Sequence, residues 1–412
     1  MGDRIRQGLT KRGSIEKGWQ LLKFLIPCSY NSQMKNELPS DISQLLGGYS
    51  PDRFLKLFWH KKPLLIRRAI PAMNAPVSKA ELFALAARDT VESRLVARDG
   101  RRWSLLHGPF SVHELRARKA PPWTLLVQGV NLHHDAADEF LRRFAFIPAA
   151  RLDDLMISWA SDGGGVGPHF DSYDVFLLQA RGRRRWRISS QEDRSLVAGA
   201  PLKILRKFRP DCEFVLDPGD MLYLPPGCAH EGVALGECMT WSIGFRAPSA
   251  QELARGLLEH LADQVERDGM FADPDLRPAR ESALIDDAYL AQAMRLIGRL
   301  QPSREEVAGF LGTSLSEPKA DVFFAAPAAP LGKPGFARAI AVRGVRLDRK
   351  TRMLHRGESL FINGEVIQTA PAVLRRLADA RCLESVPATA GAAAGLLYAW
   401  YTHGWLHTGR TP

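Results

Sequence analysis

GGGVGPHFDSYDVFLLQARGRRRWRI, residues 163–188, decides the reading of this chain. Alternate side chains on a strand share a face. Read as a strand, Gly167-Pro168-His169-Phe170-Asp171 points His169 and Asp171 one way and Phe170 the other. One imidazole beside one carboxylate makes two thirds of a 2-His-1-carboxylate triad, the set that leaves adjacent positions open on ferrous iron. The third ligand has to come from a later strand. PGDMLYLPPGCAH (218–230) supplies it: a Pro218-Gly219-Asp220 turn launches a short strand, a Pro225-Pro226-Gly227 turn reverses it, and His230 stands early on the next strand. His230 lies 59 positions after Asp171, enough chain for several short strands to return to the same mouth. A lone His-x-Asp is usually an ordinary structural pair. The downstream turn-strand-turn-His element separates this one from the other histidines, none of which has a comparable setting.

The same stretch offers an anion site. After a turn at Ala180-Arg181-Gly182, alternation places Arg184 on the face of Trp186 and Ile188, and Arg183, Arg185 and Arg187 on the other. The apolar partners mark the Arg184 face as buried. A buried guanidinium demands an anion, and its planar fork suits a carboxylate. A diacid cosubstrate such as 2-oxoglutarate, chelating iron through its 2-oxo acid end, would present its far carboxylate there. Pairing with a structural Asp or Glu is the competing account. In Leu155-Met156-Ile157-Ser158-Trp159, Ser158 shares a face with Met156 and offers a hydroxyl to the same carboxylate.

Outward from this centre, residues 50–248 read as mixed, then strand-rich, with Gly- and Pro-punctuated short strands of an antiparallel sandwich or barrel. The character changes at 249. Leu253, Leu257, Leu258, Leu261 and Val265 recur at helical spacing, Ala288–Leu300 is a second helix, and Ser303-x-x-Glu306 is a capping box opening a third. The leucine stripe predicts a homodimer surface over 249–310. A Pro/Gly-rich linker at 327–335 precedes a strand, an Asn363-Gly364 turn, a strand and two helices, the first capped near Thr369 with Pro371 in its first turn; this is the outline of a winged-helix-like domain. The expected divisions are 34–248, 249–325 and 326–412. Residues 1–33 carry six basic and two acidic residues without a clear period, and read as a disordered arm or as sequence preceding a true start at Met34.

Composition narrows the class. The chain is 45% apolar and 25% charged, ordinary for a globular protein. No apolar run approaches the ~18 residues of a membrane span. A cytoplasmic protein without membrane contact is expected. Five cysteines without a CxxC pair argue against a disulfide framework or structural zinc. The net charge of +11 permits nucleic-acid contact but does not require it.

These motifs together resemble the bacterial JmjC-type ribosomal oxygenases, which hydroxylate an arginine of the large-subunit ribosomal protein L-sixteen. The resemblance rests on FWHKKPLLIRRA (58–69), WTLLVQGV (123–130), DDLMISWA (153–160), residues 163–188, PGDMLYLPPGCAHEG (218–232) and WSIGFRAPS (241–249), and extends from about Met34 to the C-terminus. It implies an α+β protein: a double-stranded β-helix (jelly-roll, or cupin) JmjC core, a helical dimerisation region and a C-terminal winged-helix-like domain. It implies Fe(II), 2-oxoglutarate as cosubstrate and dioxygen, with release of succinate and carbon dioxide. By motif position its iron ligands fall on His169, Asp171 and His230, and its 2-oxoglutarate contacts on Arg184 and Ser158. Asp162, just before the glycine run, is a substrate-binding candidate that would face a guanidinium. Three other readings stand beside this one. One is the same chemistry on a histidine of another ribosomal protein. The second is a winged-helix nucleic-acid-binding regulator with a vestigial cupin, against which all three ligands are present and 371–380 is not unusually basic. The third is a metal-containing cupin isomerase or storage protein, which would need no buried diacid clamp such as Arg184. A basic enzyme with a basic ribosomal substrate also requires acidic groups near the cleft.

Overall fold

The structure is a computed structural model that describes residues 42–263, Met270, Ala272, and residues 287–297, 302–387 and 391–409. The expected arm at 1–33 and Val265 of the leucine stripe lie outside the described residues. Two compact units divide between Ala247 and Pro248, with Ala320–Phe324 returning to the first.

The first unit is built on a nine-stranded sheet whose neighbouring strands pair antiparallel. Its strands are β1 (Leu64–Ile66), β2 (Ser93–Asp99), β3 (Arg102–His107), β4 (Trp123–Val127), β5 (Leu152–Ala160), β6 (Val175–Ser189), β7 (Cys212–Leu216), β8 (Met221–Leu224) and β9 (Ala229–Phe245). The path runs β1-β8-β6-β9-β5-β4-β2-β3, with β7 on β6. The two long strands, β6 and β9, pair along most of their length; β8 flanks the first part of β6 and β7 the second. That is the cupin jelly roll of a JmjC domain.

Local chemistry explains the starts of its helices. Ser78 and Ser111 cap the Lys79–Ala86 and Val112–Ala117 helices in capping boxes with Glu81 and Glu114. Pro51 opens the Pro51–Leu57 helix behind the Ser50 cap, where its missing N–H costs nothing. These helices cover one face of the sheet. Phe54, Phe83, Phe144, Phe176, Tyr223, Trp241 and Phe245 meet there in a buried aromatic core. The other face of β6 and β8 holds a smaller cluster: Val175, Leu177, Trp186, Ile188, Leu216, Leu222, Leu224 and Cys228.

Two details of this unit differ from the strand reading. Ala180-Arg181-Gly182 is not a turn between strands. β6 is one strand of 15 residues, and the pairing with β9 slips at Gln179–Arg183, a bulge centred on Gly182 at φ +63°. An inserted residue inverts the alternation beyond it. Odd-numbered Val175 and Leu177 therefore share a cluster with even-numbered Trp186 and Ile188. Likewise, His169 is not on an extended strand. It makes a single antiparallel bridge to His230.

The second unit contains the helices Ala250–Ala262, Asp287–Ile297, Arg304–Ser316, Lys333–Arg343, Ala372–Ala380 and Ala392–Thr402. Its strands are β10 (Val345–Leu347), β11 (Met353–Arg356), β12 (Ser359–Ile362), β13 (Glu365–Ile367), β14 (Cys382–Leu383) and β15 (Leu406–Thr408). They form two three-stranded sheets, β14-β10-β15 and β11-β12-β13. Phe336, Ile340, Leu360, Leu374, Leu377, Leu397, Trp400 and Leu406 are its core. The Ser303–Glu306 capping box forms as read. The Ala372–Ala380 helix differs: Pro371 is itself the N-cap, with no side-chain cap bond, so Thr369 does not cap it. The Arg304–Ser316 helix sits against the β11–β13 sheet, where a Cβ on Gly312 would lie 2.4 Å from Phe361 and Ser316 Oγ accepts the Gly364 N–H at 3.2 Å. Among the described residues, no helix is long and apolar enough to cross a membrane, and Cys212, Cys228, Cys238 and Cys382 are all free thiols.

Candidate active site

His169 and His230 exchange backbone hydrogen bonds, 2.9 Å from His169 N to His230 O and 2.7 Å in return. This double bond sets the two imidazoles side by side, ring centroids 4.2 Å apart. Asp171 is held by the Pro225-Pro226-Gly227 turn, whose Gly227 N–H donates to the Asp171 carbonyl at 2.7 Å. His230 Nε2 then lies 3.6 Å from Asp171 Oδ2. One ligand atom from each of His169, Asp171 and His230 falls within 4.8 Å of the others.

Both rings are oriented for metal binding. His169 Nδ1 is 2.9 Å from the Gly167 carbonyl, and His230 Nδ1 is 2.9 Å from the Cys228 carbonyl. A carbonyl only accepts, so Nδ1 carries the proton in each ring and Nε2 keeps its lone pair. His230 is 3% exposed. Burial first, and the neighbouring His169 second, lower its pKa to about 4. It is therefore neutral at physiological pH, as a ligand must be. Two imidazoles and one carboxylate on adjacent backbone segments suit a divalent ion with open positions.

The glycine run has a steric origin. A Cβ on Gly164 would stand 2.4 Å from the Trp123 carbonyl, and one on Gly165 2.5 Å from that of Gly232. Only glycine lets this segment lie against β4 and β9 and so carry His169 to His230.

Arg184 is 3% exposed. Its Nη1 reaches Ser158 Oγ at 3.4 Å and Thr240 Oγ1 at 3.3 Å, and its Nη2 reaches the Gly232 carbonyl at 3.3 Å. The guanidinium lies over Trp186, 5.2 Å from the ring centroid, and its Nε has no acceptor. Burial lowers its pKa, and among the described residues no carboxylate offsets that. The structural-pair account of Arg184 therefore lacks its acid. Three long bonds to neutral acceptors leave a buried cation under-satisfied, which fits a site for an incoming carboxylate. Trp186 also lies 5.9 Å from the His230 ring, so the cation and the metal-ligand set flank the same tryptophan.

Asp162 is not gathered with these residues. It is exposed, and its Oδ1 accepts the Gly236 N–H at 2.7 Å, fastening a turn in β9. Thr240 and Gly232 belong to the pocket and were absent from the sequence reading. Thr240 is the register partner of both Ser158 and Gln179. A Cβ on Gly232 would lie 2.7 Å from Arg184 Nε, so this glycine leaves the guanidinium its space. Alternation in Met239–Ile243 hints at Thr240, but only the pairing of β5, β9 and β6 puts its hydroxyl on Arg184.

A jelly roll with a His-Asp-His centre at the bridge between its glycine-rich segment and β9 defines a JmjC-type cupin metalloprotein. The JmjC domain family model matches residues 139–253, and the ROXA-like winged helix model matches 292–407. The chain is 34% identical over 322 residues to the ribosomal protein uL16 3-hydroxylase of Escherichia coli (strain K12), covering 77% of this chain and 85% of that protein. It is 36% identical over 233 residues to a probable ribosomal oxygenase of Haemophilus influenzae, 55% of each chain. Among solved structures, E. coli ycfD superposes with a TM-score of 0.77 at 31% identity, over 91% of this chain and all of that one (100%). The E. coli YcfD complex with cobalt and 2-oxoglutarate superposes at 0.74 and 32%, over 87% and 97%. The chain belongs to the JmjC ribosomal oxygenase family.

Proposed function

We propose that this protein is an Fe(II)- and 2-oxoglutarate-dependent oxygenase that hydroxylates an arginine side chain of ribosomal protein uL16. The observation that carries the cosubstrate assignment is the buried, acid-free Arg184 beside the His169-Asp171-His230 centre. The uL16 target is supported by the E. coli relative, a ribosomal protein uL16 3-hydroxylase, and the arginine by the resemblance of the sequence motifs to the arginine-hydroxylating members of the family. Cytoplasmic work follows, since ribosomal proteins are made there.

When bound, the iron supplies the oxidising power, consuming dioxygen and 2-oxoglutarate and releasing succinate and carbon dioxide as one C–H becomes C–OH. The chain's own task is placement. His169, Asp171 and His230 would hold the ion, the imidazoles through Nε2 and the aspartate through a carboxylate oxygen. Arg184, with Ser158 and Thr240, takes the far carboxylate of the cosubstrate, and Trp186 and Ile188 keep water from that contact. Placement of one substrate C–H against the open side of the centre then decides which bond is oxidised.

The test is turnover by purified protein with iron and 2-oxoglutarate. A uL16-derived peptide should stimulate succinate formation and gain the mass of one oxygen on an arginine. A gain on histidine-containing ribosomal peptides alone would move the assignment to that residue. Succinate formation indifferent to every peptide would sink the substrate reading.

A further inference from the structure

One motif of the sequence, FWHKKPLLIRRA (58–69), has no part in the metal and cosubstrate sites described above. Its second half contains β1, which pairs with β8 and sets Leu64 opposite Tyr223. Its first half reaches the start of β6. Trp59 stacks on Tyr223, ring centroids 6.1 Å apart at 19°, and meets Phe245 edge-on at 5.1 Å. His60 follows at φ +56°. A bulky side chain rarely takes that conformation, and it persists only where the surroundings impose it. From there the His60 N–H donates to two oxygens, the Tyr223 hydroxyl at 3.0 Å and Asp174 Oδ1 at 3.3 Å. The Tyr223 hydroxyl donates in turn to Asp174 Oδ1. The His60 imidazole stands beside the other oxygen, with Nε2 3.2 Å from Asp174 Oδ2 and also 3.2 Å from Arg151 Nη2.

Asp174 is fully buried, at 0% exposure. A buried carboxylate is a poor device for stability alone, since desolvation offsets most of what its partners return. Strain at His60 and burial at Asp174 thus meet three positions after the metal-binding candidate Asp171. The segment between is thinly held. His169 is bridged to His230, and β6 begins at Val175. Between those points, among the described residues, two backbone hydrogen bonds tie the chain down: Gly227 N–H to the Asp171 carbonyl at 2.7 Å, and Phe245 N–H to the Asp174 carbonyl at 3.2 Å. The Asp171 side chain is 23% exposed. Its aim depends on how the backbone on either side of it is anchored, and Asp174 is the buried anchor on the C-terminal side.

We propose that Asp174 is a positioning residue for the metal centre: held by His60 and Tyr223, it fixes the far end of the 169–174 segment and so the carboxylate of Asp171. The inference rests on the metal assignment of His169, Asp171 and His230. The test uses the full chain and cobalt(II), titrated by calorimetry, with urea midpoints measured on the same preparations. Asp174→Asn keeps the shape and removes the charge. It should raise the cobalt dissociation constant on the order of tenfold, the low end for loss of a group that orients a ligand. His60→Gly removes the imidazole, and glycine is at ease at positive φ. It should keep a urea midpoint close to wild type and still bind cobalt more weakly, a split that a merely structural role would not produce. Leu115→Ala truncates a buried side chain outside the clamp. It should do the reverse, lowering the midpoint and leaving the cobalt constant unchanged. Unchanged cobalt binding in either Asp174→Asn or His60→Gly overturns the proposal. So does a loss of cobalt affinity in Leu115→Ala as large as that in Asp174→Asn, which would reduce the clamp to a matter of stability. His169→Ala separates this proposal from the metal assignment beneath it. If that variant binds cobalt as wild type does, the assignment fails and the proposal with it. If it loses cobalt while the clamp variants keep it, the proposal alone fails.

Discussion

At the scale of single residues, two buried groups govern the site, Arg184 and His230. Arg184 holds no acid of its own, so removing it takes nothing from a structural ion pair and everything from a carboxylate ligand. Arg184→Met should raise the apparent 2-oxoglutarate constant by roughly 30- to 4000-fold, the equivalent of about 2–5 kcal/mol, with iron retained. Thr240→Val removes the hydroxyl that accepts from Arg184 Nη1 at 3.3 Å and donates to Gln179 Oε1 at 3.2 Å; at about 1 kcal/mol for the loss felt by the cosubstrate it should raise the constant about fivefold. Arg183→Met, exposed on the opposite face, should be mild. Steady-state titration of 2-oxoglutarate, with iron measured in parallel, checks all three. A loss of iron in Arg184→Met would reassign the residue to the metal centre. His230 sets a pH limit on the metal-free protein. Its pKa is about 4 when folded against a reference value of 6.5. Above 6.5 both states are neutral. Between 6.5 and 4 the unfolded chain takes up a proton that the native state refuses, so stability falls with pH across that window. The loss should be on the order of 2–3 kcal/mol. Urea denaturation at pH 7 and pH 5 should show it, with a shallower dependence in His230→Asn. An identical pH dependence in that variant would remove His230 from the account.

At the scale of an element, β6 does two jobs because its alternation inverts once. Before the bulge, Val175 and Leu177 face the inner cluster; after it, Arg184, Trp186 and Ile188 do. Gly182 makes this possible. It stands at φ +63°, and a Cβ there would lie 2.2 Å from the Glu237 carbonyl. Gly182→Val has to change either its backbone conformation or the pairing with β9. It should cost at least about 2 kcal/mol in denaturant and weaken 2-oxoglutarate binding in whatever fraction remains folded. A variant with unchanged midpoint and unchanged cosubstrate constant would show that the bulge does not set the position of Arg184. The glycines at 164 and 165 act differently. They are short of space and not of conformational freedom, since neither has a positive φ.

At the scale of the whole molecule, several large apolar side chains of the second unit are exposed among the described residues. Leu258 is 62% exposed, Met294 64%, and Tyr289, Leu290 and Ile297 are each more than half exposed. They lie on Ala250–Ala262, which buries no residue, and on Asp287–Ile297. Exposed apolar stripes of this size seek a partner. A homodimer through these helices is the expected state. Light scattering at micromolar concentration should report twice the chain mass, and Leu258→Glu with Leu290→Glu should shift it toward the monomer. A monomeric wild-type protein would rule this surface out as a self-association site.

The three metal-binding candidates were legible in the sequence because each follows from local rules: one-apart alternation for His169 and Asp171, and turn chemistry around Pro225-Pro226-Gly227 for His230. Even though His169 sits on a lone bridge and not on a strand, that bridge to His230 and the Gly227 N–H on the Asp171 carbonyl keep the two side chains together. The Ser303 cap was legible for the same reason, since a capping box is complete within four residues. What local rules could not supply was register. The fate of Ala180-Arg181-Gly182 as bulge or turn depends on β9, which begins 47 positions after Gly182. Thr240 joins Ser158 and Arg184 only because three strands pair at that level, and Gly232 matters only for the side chain it lacks room for. The absence of a carboxylate from Arg184 is likewise a property of everything packed around it. Sequence determined which chemistry this protein carries, through short-range backbone geometry. Tertiary structure decided where the cosubstrate's far end can be held, because cross-strand pairing over long separations fixes which buried groups share one wall.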